Sequence, residues 1–310
     1  GLSLHDPTPR LDMNNIIGNV GLAMGGMTPS AINVVESFAL ASTGNGIDFG
    51  DLTATASQGG GCGDVVRGLC MSGERAGSGS ANIDVVHFAS KGNTSNFGSS
   101  SVARRRGAGL SNNTRGVLAG GHTPTKSNVI DFVTIATAGD ASDFGDLAAA
   151  TTQAGGIASP TRGVTGGGST GSDINVIQYI TIASTGDAAD FGDLTAARSN
   201  IASSGSITRG LFAGAYPVGN IIDFITIAST GDASDFGDLT VSRGGGCNGG
   251  ALSNKVRGLF AGGYAYPADP ANSNVIDFVT IASTGNATDS GDLTAVKQNL
   301  TTASNGHGGL

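Results

Sequence analysis

The chain has no tryptophan, and aromatics are only 5 % of its 310 residues. Charged residues are 13 %. This composition excludes a core built from large side chains. Cohesion must come from backbone ladders and close packing of small groups. Cysteine is nearly absent: Cys62, Cys70 and Cys247 are three, so they cannot pair completely. Their spacing provides neither a disulfide framework nor a zinc site. The four histidines, His5, His87, His122 and His307, occupy four different contexts, and no Ser-His-Asp or Cys-His arrangement emerges. No apolar stretch reaches transmembrane length and no signal-peptide pattern stands in the chain, so membrane insertion is not expected. Positive charge is scarce as well. Lys and Arg number 16 against 24 Asp and Glu, a net charge of −8, and the only basic run is Arg104-Arg105-Arg106. That argues against nucleic acid as a partner, because phosphate backbones need clustered cations. A sustained 3.6-residue apolar pattern is missing too, so almost no helix is expected.

What is abundant is glycine, 53 residues, and repetition. The stretch TIASTGDASDFGDL, 226–239, recurs nearly unchanged at 181–194 and more loosely at 134–147, 280–293, 39–52 and 87–100. Its aromatic position falls at Phe49, Phe97, Phe144, Phe191, Phe236 and Ser290, giving spacings of 48, 47, 47, 45 and 54. Such a period is the mark of a repeat architecture. Each repeat holds short apolar runs rich in Val, Ile, Thr and Phe, separated by Gly, Asn, Asp and Ser, which is strand-and-turn chemistry. The runs are apolar on both faces, as strands sandwiched between neighbours require. Four strands in each of six repeats predict an all-β, six-bladed β-propeller with four-stranded blades, in one domain.

Expected boundaries are an N-terminal arm at 1–9 and a propeller at 10–293. Its blades lie at about 10–52, 53–102, 103–147, 148–194, 195–239 and 240–293. Residues 294–310 form a C-terminal strand or tail. Both Arg10 to Gly21 and Lys297 to Gly308 span 11 residues and fit the same inner-strand slot. One of them closes the ring, and the other remains for contact with a further subunit.

The repeats resemble kelch repeats. The apolar strand ends in Gly-Gly at 25–26, 120–121, 166–167 and 262–263, and an Arg opens the next repeat at Arg104, Arg198 and Arg243, with Lys297 in the last copy. That Arg is lost at Ala56 and Thr151, and Phe stands where kelch repeats carry Trp. The wording NVIDFVTIAS…TG(D/N)A(S/T)DFGDL is also similar to repeat arrays in virion structural and tail-fibre proteins of marine phages, cyanophages among them. This second resemblance implies a non-enzymatic virion component that touches the host cell. Its implied partners are other virion proteins, a host cell-surface glycan and a further copy of the chain, and its implied location is the virion surface. No cofactor is expected.

Three features are candidates for a site. Acids recur in threes at Asp140/Asp143/Asp146, Asp187/Asp190/Asp193 and Asp232/Asp235/Asp238, with Asn leading the sets Asn45/Asp48/Asp51 and Asn286/Asp289/Asp292. They suit either calcium or capping of hairpin amides, and the second is favoured because the spacing and closing Glu of a calcium loop are missing. An Arg precedes each Gly-ending strand: Arg67, Arg115, Arg162, Arg209 and Arg257, with Val20 in the first repeat. These are expected to pair with the last acids of the motif, Asp146, Asp193, Asp238 and Asp292, in a structural ladder, rather than to ring an anionic ligand. Loops after the Gly-ending strands vary in length and content. Three of the four tyrosines, Tyr216, Tyr264 and Tyr266, sit in them and are the candidate ligand-binding residues. No catalytic residue and no metal ligand is assigned, since no carboxylate pair stands out from the repeated ones.

Overall fold

The computed structural model describes residues 18–215, 219–244, 252–265 and 272–310. It is a six-bladed β-propeller, and its described residues form strands and turns without a helix. Blade three is the simplest statement of the unit. Its strands, from the axis outward, are Ala108–Ser111, Arg115–His122, Lys126–Thr134 and Ser142–Asp146, all antiparallel. Blade four repeats it with Gly155–Ala158, Arg162–Gly166, Val176–Thr181 and Ala189–Asp193. Blade five repeats it with Ala202–Gly205, Arg209–Ala213, Ile221–Thr226 and Ser234–Asp238. Blade six has Arg257–Tyr264, Asn272–Thr280 and Thr288–Lys297, with Ser253 bridging Gly258 on the inner side. Blade two adds a small strand, Glu74–Arg75, to Gly60–Gly63, Arg67–Met71, Ser78–His87 and Ser95–Arg104.

Blade one is built from both ends of the described chain. Thr301–Ser304 forms its inner strand against Val20–Met24, followed by Ile32–Ala39 and Ile47–Ala56. Of the two segments that fit this slot, the C-terminal one fills it. Residues 10–17, the other claimant, lie outside the described residues, as does the arm at 1–9. Outer strands of blades one, two and six run on to Ala56, Arg104 and Lys297, a few residues past the boundaries read from sequence.

Apolar clusters lie between blades. One joins Leu110, Ile130 and Phe144 of blade three to Ile180 and Ile182 of blade four. The motif Phe is buried in every blade that has it, and Ser290 is buried in the sixth. At the axis the strands meet backbone to backbone. A Cβ added to Gly61, Gly109 or Gly156 would lie 1.8, 2.3 and 2.4 Å from a carbonyl oxygen of the preceding inner strand. This close approach is why the inner strands are rich in Gly, Ala and Ser.

Candidate functional site

The two faces of the ring differ. One carries the turns before the Arg-bearing strands and the acidic hairpins. The other carries the variable loops and the segments that lead into the inner strands.

On the first face the Arg row and the acid row do not pair. Arg67, Arg115 and Arg162 donate from Nη1 to Ile135 O, Ile182 O and Ile227 O of the next blade, at 2.7, 2.8 and 3.0 Å. Arg209 reaches Ile281 O and Ala282 O in the same way. Four guanidiniums also stack on a ring of their own blade: Arg115 on Phe132, Arg162 on Tyr179, Arg209 on Phe224 and Arg257 on Phe278. Arginine at this place is thus a clip for the neighbouring backbone, a partner that no side-chain pattern reveals. Among the described residues no ion pair joins it to Asp146, Asp193, Asp238 or Asp292.

Those four acids serve through their amides. Asp146 N–H donates to Asp187 Oδ1, Asp193 to Asp232, Asp238 to Asn286 and Asp292 to Asn45, each at 3.0–3.1 Å across a seam. Asp51 to Asn93 and Ser99 to Asp140 complete the ring. The first residue of each acid set therefore caps an amide of the preceding blade, not of its own hairpin. Backbone bonds reinforce the latch, as in Gly186 N–H to Phe144 O and Ala188 N–H to Asp146 O. The glycine of Asp-Phe-Gly is required here. Gly192 has φ +145°, and a Cβ on it would lie 2.5 Å from Gly231 O of the docked turn. Among the described residues, no three His, Cys, Asp or Glu side chains come together as a metal would need.

A second ring of polar side chains lies inside the seams. The opening Arg of each repeat meets an acid on the third strand of the following blade. Arg104 pairs with Asp131 at 2.9 Å, and Arg198 with Asp223 and Arg243 with Asp277 at 3.0 Å, all almost fully buried. Lys297 pairs with Glu36. Each acid also accepts the amide and hydroxyl of the residue that follows the motif Leu, as Asp223 does from Thr195 at 3.0 and 2.7 Å. Where the opening Arg is lost at Ala56, Arg75 of the extra strand reaches Asp84 at 2.9 Å instead. Where it is lost at Thr151, the acid is lost too. Gln178 stands there and accepts only the Ala148 amide, at 2.8 Å. Burial lowers Arg104 and Arg198 from the ordinary guanidinium value, and their acid partners oppose the shift. Sequence reading missed these acids because each sits in the middle of an apolar run. The available signal was their joint replacement in one repeat.

The C-terminal tail closes the axis on the first face. Asn305 to Gly309 are buried. His307 Nε2 lies 2.9 Å from Gly63 O and 3.2 Å from Ser111 Oγ, and its Nδ1 accepts the Gly309 amide at 3.1 Å. These partners place the proton on Nε2. Burial pushes His307 down to about 4. Beside it, between the inner strands, lies a cavity of about 10 Å³, the size of one water.

On the loop face, Tyr264 ends the second strand of blade six, half-buried, its backbone bonded to Gly244. Tyr216 and Tyr266 lie outside the described residues, so their grouping with Tyr264 is a sequence expectation. Near the seam of blades two and three is a basic cluster. Glu74 pairs with Arg105, Arg106 lies alongside, and His122 is lowered by burial and by Arg105, Arg106 and Lys126.

No protein-family model matches the chain, and no curated protein matches it in sequence. The fold and the seam chemistry therefore define the class, a six-bladed β-propeller, on their own terms.

Proposed function

We propose that the protein is a non-enzymatic virion structural or fibre protein whose loop face binds a glycan of the host surface. The kelch-like repeats and the likeness of the motif to marine-phage virion arrays supply the setting. The observation that carries the reading is the asymmetry of the faces. The turn face is repeated blade by blade, with its polar groups bonded across the seams. The loop face varies from blade to blade, which is where a rigid scaffold usually carries recognition. Its partners on this reading are other virion proteins and the host glycan, and its place is the particle surface.

Binding of the purified protein to candidate host cells and their extracted surface polysaccharide tests it. Saturable binding, weakened in a folded Tyr264→Ala/Tyr266→Ala variant, is the expected result. A folded protein that binds neither, alone or as its native oligomer, overturns it. That outcome would leave an architectural decoration or filament subunit.

A further inference from the structure

Five residues lead into inner strands on the loop face, and all hold a positive φ: Gln58 60°, Arg106 61°, Gln153 63°, Asn200 56° and Asn299 58°. None is glycine, although left-handed backbone is uncommon for any other residue type. The sixth such position falls within 245–251, outside the described residues. The five form a crown round the axis. Gln58 N–H donates to Asn299 O at 2.9 Å, Arg106 N–H to Gln58 O at 2.7 Å and Gln153 N–H to Arg106 O at 2.9 Å.

Side chains are ordered round the same circle. Arg106 Nε donates to Gln58 Oε1 at 3.0 Å, and Gln153 Nε2 bonds Asn200 Oδ1 at 2.6 Å. Arginine can only donate, so the first bond fixes the Gln58 amide with its Nε2 pointing elsewhere. Arg106 Nη1 and Nη2 make no hydrogen bond among the described residues. No carboxylate there lies within ion-pair distance of Arg106, although Glu74, paired with Arg105, still favours its charge. On a chain of net charge −8, the crown thus holds a cation with its planar fork unused, beside Arg105, His122 and Lys126. Amide groups flank it and can both donate and accept. The tail blocks the far end of the axis, so a ligand would sit on the crown rather than pass through.

We propose that the crown binds the carboxylate of an acidic sugar, a uronic-acid unit of a surface polysaccharide. The Arg106 fork takes the carboxylate, and Gln58, Gln153 and Asn200 take ring hydroxyls. This rests on the glycan-binding reading and names its ligand class.

The test is calorimetric titration of the whole chain with oligogalacturonate and oligomannuronate, and with the same oligomers methyl-esterified. Binding of at least one free acid is expected, with a loss of about tenfold or more on esterification and in Arg106→Gln. Arg106→Gly relieves the positive φ, keeps the fold by its melting curve, and is expected to lose binding equally. Failure of both acids to bind, equal binding of acid and ester, or undiminished binding by folded Arg106→Gly overturns the crown. Polysaccharide binding lost in Tyr264→Ala/Tyr266→Ala but kept in the Arg106 variants overturns the crown and leaves the attachment reading. Oligouronide binding without cell binding does the reverse.

Discussion

The seam between blades four and five and the seam between blades three and four perform the same task with opposite chemistry. The first buries Arg198, Asp223 and Thr195 in a charged, hydrogen-bonded group. The second puts Thr151, Gln178 and Ala148 at the same places and buries no charge. All three residues change together, and the ring closes over both. Burying an ion pair costs desolvation that the pairing only roughly offsets, so a neutral replacement of the whole group can be almost free. In the charged seam Arg198 Nε and Nη1 have no partner among the described residues, which weakens its gain further. The lesson is that the group is selected as a unit. Blade two makes the same point differently, because the lost Arg at Ala56 is replaced in space by Arg75.

The comparison can be broken hardest by removing one partner. Arg198→Ala leaves Asp223 buried without its cation, and a loss of about 3–5 kcal/mol in chemical denaturation is expected. Thr151→Ala in the neutral seam removes one hydroxyl bond, to Ala149 O, and should cost only about 1 kcal/mol. Equal losses would show that the charges carry no special penalty. Gln178→Asp should destabilise by about 3 kcal/mol, since it buries a carboxylate with no cation, and Thr151→Arg with Ala148→Thr should restore most of that. A failure of rescue would mean that the seams are not interchangeable.

Acid offers a control that acts at the axis rather than at either seam. His307 is held neutral, with a folded value of about 4 against an ordinary 6.5. Its contribution is complete above about pH 6.5 and is lost as pH falls through 4, worth about 3 kcal/mol at most. Asp64, the charged group near it, favours protonation and so moderates the effect. Melting temperatures between pH 7 and 4 should fall less in His307→Asn than in the parent chain. The complete swap Thr195→Ala/Arg198→Thr/Asp223→Gln is expected to cost only about 1 kcal/mol, far less than Arg198→Ala, because it turns a charged seam into the neutral kind.

The fold was legible because it is written six times. Period, strand order and blade count all follow from the motif and its spacing. The pairing of polar residues was less legible. Arg67, Arg115, Arg162 and Arg209 share a face with the acids, yet their partners are carbonyl oxygens, which every residue has and no sequence distinguishes. Asp131, Asp223 and Asp277 were hidden in apolar runs. The claim of residues 297–308 on the inner slot could be read, but not its victory over 10–21, because both spans fit. The crown was invisible for another reason: Gln, Arg and Asn share no chemistry by name, only a backbone conformation.

One inner strand also fixes a timetable. Blade one cannot be completed until Thr301–Ser304 has been made, some 280 residues after Val20–Met24, the strand it pairs with. Until then Val20–Met24 offers an open edge to any passing strand. Joining such distant segments is slow, because the loop must be closed before the contact repays it. A nascent chain therefore carries a vulnerable edge for most of its synthesis. A stop codon placed just before Thr301 would yield not a slightly shortened ring but one that never shuts.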